Sequence, residues 1–209
     1  ALTVKLGDGL SISYNLHTMD QLAVWQGGFL KLSDTQHYRE RGGGVPEIEG
    51  KPIPGLQSWS WAHDEGFSYS TEDLLPRGPM PSKWMDYRGH YLHGQKLVLS
   101  YSVNGRDILE MPTKSAGFKA LVHTLRVAPG KQVLQLSVAQ LKGEGARQGF
   151  LDPKAALVDL LSSKKGSSGH LAVMGFPSKG PLEQFVAAAT FGDTDGLNWG
   201  FDDQGRLIL

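Results

Sequence analysis

Cysteine is absent from the chain. Disulfides, thiolate zinc sites and covalently attached c-type haem are therefore excluded within it. Net charge is absent too, because 21 Lys and Arg balance 21 Asp and Glu. A surface that binds nucleic acid needs a basic stripe to displace counterions, and none is present. The same balance argues against docking on an anionic membrane through charge. No apolar run approaches the roughly 18 residues of a membrane span. No nucleophile elbow of the Gly-x-Ser-x-Gly type occurs. The glycines after Arg39-Glu40-Arg41 lack the strand-then-helix context and the Gly-Lys-Ser/Thr of a phosphate loop. Asp193-Thr194-Asp195-Gly196 is too short for an EF-hand and lacks the distal Glu.

What is present is turn chemistry. The chain has 27 glycines among 209 residues, as a turn-rich β protein requires. The stretch Tyr87 to Pro112 reads as a β-meander. Tyr91–His93 is extended, Gly94-Gln95 turns, Lys96–Val103 is rich in β formers, Asn104-Gly105 turns, and Arg106–Glu110 returns. Asn-Gly is a strong hairpin signal because a type I′ turn needs positive φ at both central residues. Thr3–Leu6 and Leu10–Tyr14 flank Gly7-Asp8-Gly9 as an opening hairpin, with Leu10, Ile12 and Tyr14 on its buried face. Gly27-Gly28 divides Met19–Leu32 into two strands.

Residues 34–57 and 71–86 are rich in Pro or Gly and read as long loops, the kind of segment that contacts a partner. Further along, Leu121–Val127 and Val133–Val138 predict a hairpin around Ala128-Pro129-Gly130-Lys131. Asp152-Pro153 opens a short helix near 153–164, with Asp as N-cap and Pro in the first turn. His170–Phe176 is a strand. Gln184–Phe191, Leu197–Phe201 and Leu207–Leu209 suggest a second meander. The sum is an all-β fold, an antiparallel β-sandwich of two packed sheets and about twelve strands, with that one helix. No composition break divides residues 1–209, so a single domain is expected. The Ala start and the strand pattern at the C-terminal end suggest a processed segment of a longer polypeptide.

Three groupings could carry chemistry. The first is aromatic: Trp59, Trp61, His63, Asp64, Glu65, Trp84 and Tyr87. Flat aromatic faces grip the apolar faces of sugars while carboxylates take the hydroxyls, which points to carbohydrate binding. Trp59 and Trp61, two apart on a strand, would share one face. Large aromatics are equally what a sandwich core buries. The second is His90 and His93, which His63 could complete as a metal site, with His37 or Asp64 as further ligands. Residues i and i+3 of a strand point to opposite faces, which favours a structural role for the pair. The third is acidic: Asp64 and Glu65 with Glu47, Glu49, Asp86 or Glu110. A glycosidase needs two carboxyls about 5–10 Å apart, and spacing alone picks no pair.

Several stretches also belong together: Leu22–Leu32 with its Trp-x-Gly-Gly-Phe-Leu, Tyr87–Glu110 with its Tyr-Leu-His-Gly, and Leu121–Val138. In these the chain resembles an uncharacterised β domain of large exported bacterial proteins. Those proteins also carry c-type haem segments and propellers like those of quinone-dependent sugar (sorbosone) dehydrogenases. The resemblance implies a periplasmic or extracellular protein in a redox- or sugar-related setting. It assigns no catalytic residue. A haem or quinone cofactor would lie on a partner segment, since this chain has no Cys-x-x-Cys-His. The expected function is a non-enzymatic accessory module or subunit of such an assembly, bound to a protein partner or to adjacent domains. Carbohydrate binding through the aromatic cluster and a His-liganded metal or haem site are the alternatives.

Overall fold

A computed structural model describes residues 1–32, 46–63, 66–67, 80–115, 120–140, 147–151, 171–176, 184–193 and 195–209. Every regular element among them is a strand. In chain order these are β1 (Leu2–Gly7), β2 (Leu10–Tyr14), β3 (Gln21–Gln26), β4 (Leu30–Lys31), β5 (Glu47–Ile48), β6 (Lys51–Pro52), β7 (Ser60–Trp61), β8 (Met85–His93) and β9 (Lys96–Val103). They continue as β10 (Arg106–Lys114), β11 (Leu121–Val127), β12 (Leu136–Gln140), β13 (Arg147–Leu151), β14 (Leu171–Phe176), β15 (Gln184–Ala189), β16 (Gly200–Phe201) and β17 (Arg206–Ile208). All pairings are antiparallel. The protein is an all-β antiparallel sandwich. Its strands outnumber the dozen expected because several are two-residue pieces. The helix expected near 153–164 lies outside the described residues.

The strands fall in two compact units. The first comprises residues 1–17, 21–53 and 81–131. One of its sheets has the order β1-β2-β3-β6, another β11-β10-β9-β8, and β4 and β5 pair separately. Its hairpins form where turn chemistry places them. Asn104 and Gly105 have φ of +47° and +75°, the two positive values of a type I′ turn. Gly94 has φ of +61° and joins β8 to β9 through the pair His93–Lys96. Leu97, Leu99, Tyr101 and Val103 alternate along β9 and are buried. They share a face with Ile108 and Glu110 of β10, because Tyr101 opposes Ile108 and Leu99 opposes Glu110. That face packs on the first sheet, where the Tyr14 hydroxyl reaches Glu110.

Ser11 departs from the expected alternation, for it is as buried as Leu10 and Ile12. The cause is the chain after β3. Its Gly28 carbonyl accepts from Ser11 Oγ at 2.9 Å, and Gly27 N donates to Gly9 O. Both faces of β2 are thus covered.

The expected hairpin of 121–138 does not form. β11 pairs with β10 along its whole length, from Lys114–Leu121 to Ile108–Val127. β12 instead pairs with β7 and β17 in the second unit. The Pro-Gly segment ends one sheet rather than closing a turn. Ala128 N donates to Asp107 O, and Arg106 Nε donates to Ala128 O at 2.9 Å.

The second unit comprises residues 18–20, 54–80 and 132–209. It contains a sheet of order β16-β17-β12-β7 and another of order β13-β14-β15. The expected second meander is divided between them. β15 is a strand but pairs with β14, while β16 and β17 form their own hairpin. Ala139, Val186, Trp199 and Leu207 are the core, flanked by Leu56, Val138, Ala188, Phe201 and Leu209. The Asp202 carboxylate fixes the β16–β17 turn by accepting from the backbone N of Gln204 and of Arg206 and from the Arg206 guanidinium. Arg206 lies over the Phe67 ring, 5.3 Å from its centroid.

Candidate functional site

The aromatic grouping does not form an open platform. Trp59 and Trp61 are each 6% exposed. Trp61 sits opposite Leu136 in the β7–β12 pair, which is itself buried. Both indoles are enclosed, and neither presents an open face. Of the two readings that spacing left open, their burial agrees with the core one, which the large apolar area of an indole favours. His63 is half-buried and exchanges backbone hydrogen bonds with Gly66. Asp64 and Glu65 lie outside the described residues. Trp84 and Tyr87 belong to the first unit, and both are half-buried. Trp84 caps the start of β8, its carbonyl accepting from Asn104 N.

His90 and His93 do not converge. His90 opposes Leu99 and His93 opposes Lys96, so the two rings leave opposite faces of β8. Among the described residues no group of three or more His, Cys, Asp or Glu is placed to hold a metal.

Two arrangements in the first unit were not expected from spacing. One is interior. Glu110 is 0% exposed and gathers three donors. Tyr14 OH reaches Oε1 at 2.9 Å, Tyr101 OH reaches Oε2 at 2.6 Å, and His123 Nδ1 reaches Oε1 at 2.8 Å. Burial pushes the carboxyl upward, but the His123 hydrogen bond and charge and the two phenols together hold it below its ordinary value. Tyr14 is driven well above the usual phenol range, first by burial and then by the charge of Glu110. A buried carboxylate is tolerable only when so fully bonded. The cluster ties β2 of one sheet to β9, β10 and β11 of the other.

The other arrangement is at the surface, on β8. Among the described residues this strand is the edge of its sheet. Its register slips between Tyr87 and Gly89, leaving Arg88 as an extra residue, and Gly89 takes φ of +126°. Such a bulge re-aims side chains. Tyr87 then opposes Tyr101 and His90 opposes Leu99, so Tyr87 and His90 share a face although they are three apart. Tyr87 OH and His90 Nδ1 meet at 2.6 Å. The displaced Arg88 forms an ion pair with Asp107 at 2.7 Å and a longer one with Asp86. Beyond the bulge, Tyr91 is 60% and Leu92 77% exposed.

Residues 12–110 match a domain of unknown function, DUF6797. That span is just under half of the chain and runs from β2 to Glu110. No curated protein matches the chain, and no solved structure does. No helix among the described residues is long and apolar enough to cross a membrane.

Proposed function

We propose that the chain is a non-enzymatic β-sandwich module of an exported redox- or carbohydrate-processing assembly, and that it meets a protein partner through the outer end of the β8–β9 hairpin. One observation carries the docking part: Tyr91 and Leu92 both stand in solvent, on opposite faces of the edge strand at the end of this hairpin. Edge strands normally end in charge, bulges or cover, and aromatic and aliphatic anchors are what interface centres use. Here the bulge precedes the apolar pair and leaves it uncovered. The periplasmic or extracellular setting, with haem or quinone on the partner side, rests on the family resemblance.

The test is affinity purification from the native source, comparing wild type with a Y91S/L92N double variant of unchanged circular dichroism. The reading expects a protein recovered in stoichiometric amount with wild type and lost with the variant. Equal recovery, or recovery with neither, removes it.

A further inference from the structure

We propose that Tyr87 and His90 form a site of proton-coupled one-electron oxidation: an outer-sphere metal-centred oxidant takes an electron from the Tyr87 ring while the phenolic proton passes to His90 Nδ1. The proposal does not depend on the docking surface.

The geometry is specific. A regular strand would send residues three apart to opposite faces. The extra Arg88 and the positive φ of Gly89 cancel that and bring the imidazole to the phenol. The separation of 2.6 Å lies at the short end of hydrogen bonds and within the reach of direct proton transfer. With the neutral imidazole carrying its proton on Nε2, Nδ1 accepts from the phenol. Burial raises Tyr87 above the ordinary phenol value, so the proton is present to be moved. His90 is exposed and Tyr87 half-buried, so an oxidant can approach. Among the described residues, Tyr14 and Tyr101, whose hydroxyls donate to Glu110, are 0% exposed.

The step balances. The Tyr87 O–H bond breaks, one electron reduces the oxidant, and the proton forms an N–H bond at His90. A neutral tyrosyl radical and an imidazolium remain. Without the base, loss of the electron would leave a strongly acidic radical cation. A positioned base contributes on the order of a hundred-fold or more in rate.

The experiment uses photogenerated tris(bipyridine)ruthenium(III) as oxidant. Freeze-quench electron paramagnetic resonance distinguishes tyrosyl from tryptophanyl radicals. Wild type should give a tyrosyl signal with a solvent deuterium isotope effect on its formation. Y87F should lose most of that signal, and Y91F should keep it, although Tyr91 is the more exposed ring. H90Q, which retains a hydrogen-bonding side chain without its basicity, should slow formation by about a hundred-fold, and H90F should do the same. Circular dichroism confirms that each variant is folded. A full tyrosyl signal in Y87F, or an unchanged rate and isotope effect in both His90 variants, overturns the proposal.

Discussion

Replacing Glu110 by Gln should cost about 3 kcal/mol, within the range for breaking a buried, bonded charge. The carboxylate is wholly enclosed and accepts from Tyr14, Tyr101 and His123 at 2.9, 2.6 and 2.8 Å. Hydrogen bonds to a charged group contribute about 1.5–3 kcal/mol each. Gln keeps the shape and one acceptor oxygen, so part of this survives. Its amide nitrogen is a donor turned toward other donors, and the His123 ring loses its carboxylate partner. The pH dependence follows with a definite sign. The folded carboxyl lies below its unfolded value of about 4.5. Its contribution is therefore complete above that pH and is lost as pH falls through the folded value. Urea unfolding at pH 7 should separate wild type from E110Q by that margin, and the gap should narrow steadily below pH 4.5. A difference under about 1 kcal/mol at pH 7, the net value of one ordinary hydrogen bond, would refute the reasoning. So would a gap that stays constant into acid.

The remaining predictions concern the strands around this cluster and the surface. Y101F and Y14F each remove one donor from Glu110 and should cost about 1–3 kcal/mol in urea melts. N104A places a Cβ residue without local hydrogen bonding at φ of +47°, which should cost about 1 kcal/mol and appear in chemical denaturation. Trp25, Trp59, Trp61 and Trp199 are at most 6% exposed, so iodide should quench chiefly the fluorescence of half-buried Trp84. A glycan panel should produce no spectral shift from the enclosed indoles. Y91S/L92N should change stability by no more than about 0.5 kcal/mol, because both side chains are exposed.

How far the sequence carries is visible in individual turns. Asn104-Gly105, Gly94-Gln95 and Gly7-Asp8-Gly9 each require backbone angles that few residues accept, so they place their hairpins from composition alone. β15 was legible for the same reason, despite its three alanines. The 121–138 segment was not. Strand propensity says that β11 and β12 are strands but not which sheet claims each, and here distant partners win. Glu110 was visible only as one carboxyl among several. Its phase was the missed signal. It falls two residues after Ile108 on a strand, and a charge in register with buried positions needs partners. Tyr101 and His123 lie on the neighbouring strands diagonal to it, opposite Ile108 and Pro112. The Tyr87–His90 contact was hidden because period-two reasoning separates the two, and only the slip at Arg88 rejoins them. Trp59 and Trp61 could have been core or platform on spacing alone, and burial decides for the core.

The docking surface is tested most directly by a photo-crosslinking amino acid placed at position 92 in the protein expressed in its native source. Leu92, exposed at 77%, should give a discrete crosslink to one protein partner on irradiation. The same probe at Val122, on the opposite edge of that sheet and 39% exposed, should give none. No crosslink at 92, or the same products from both positions, would contradict a partner seated on the end of this hairpin.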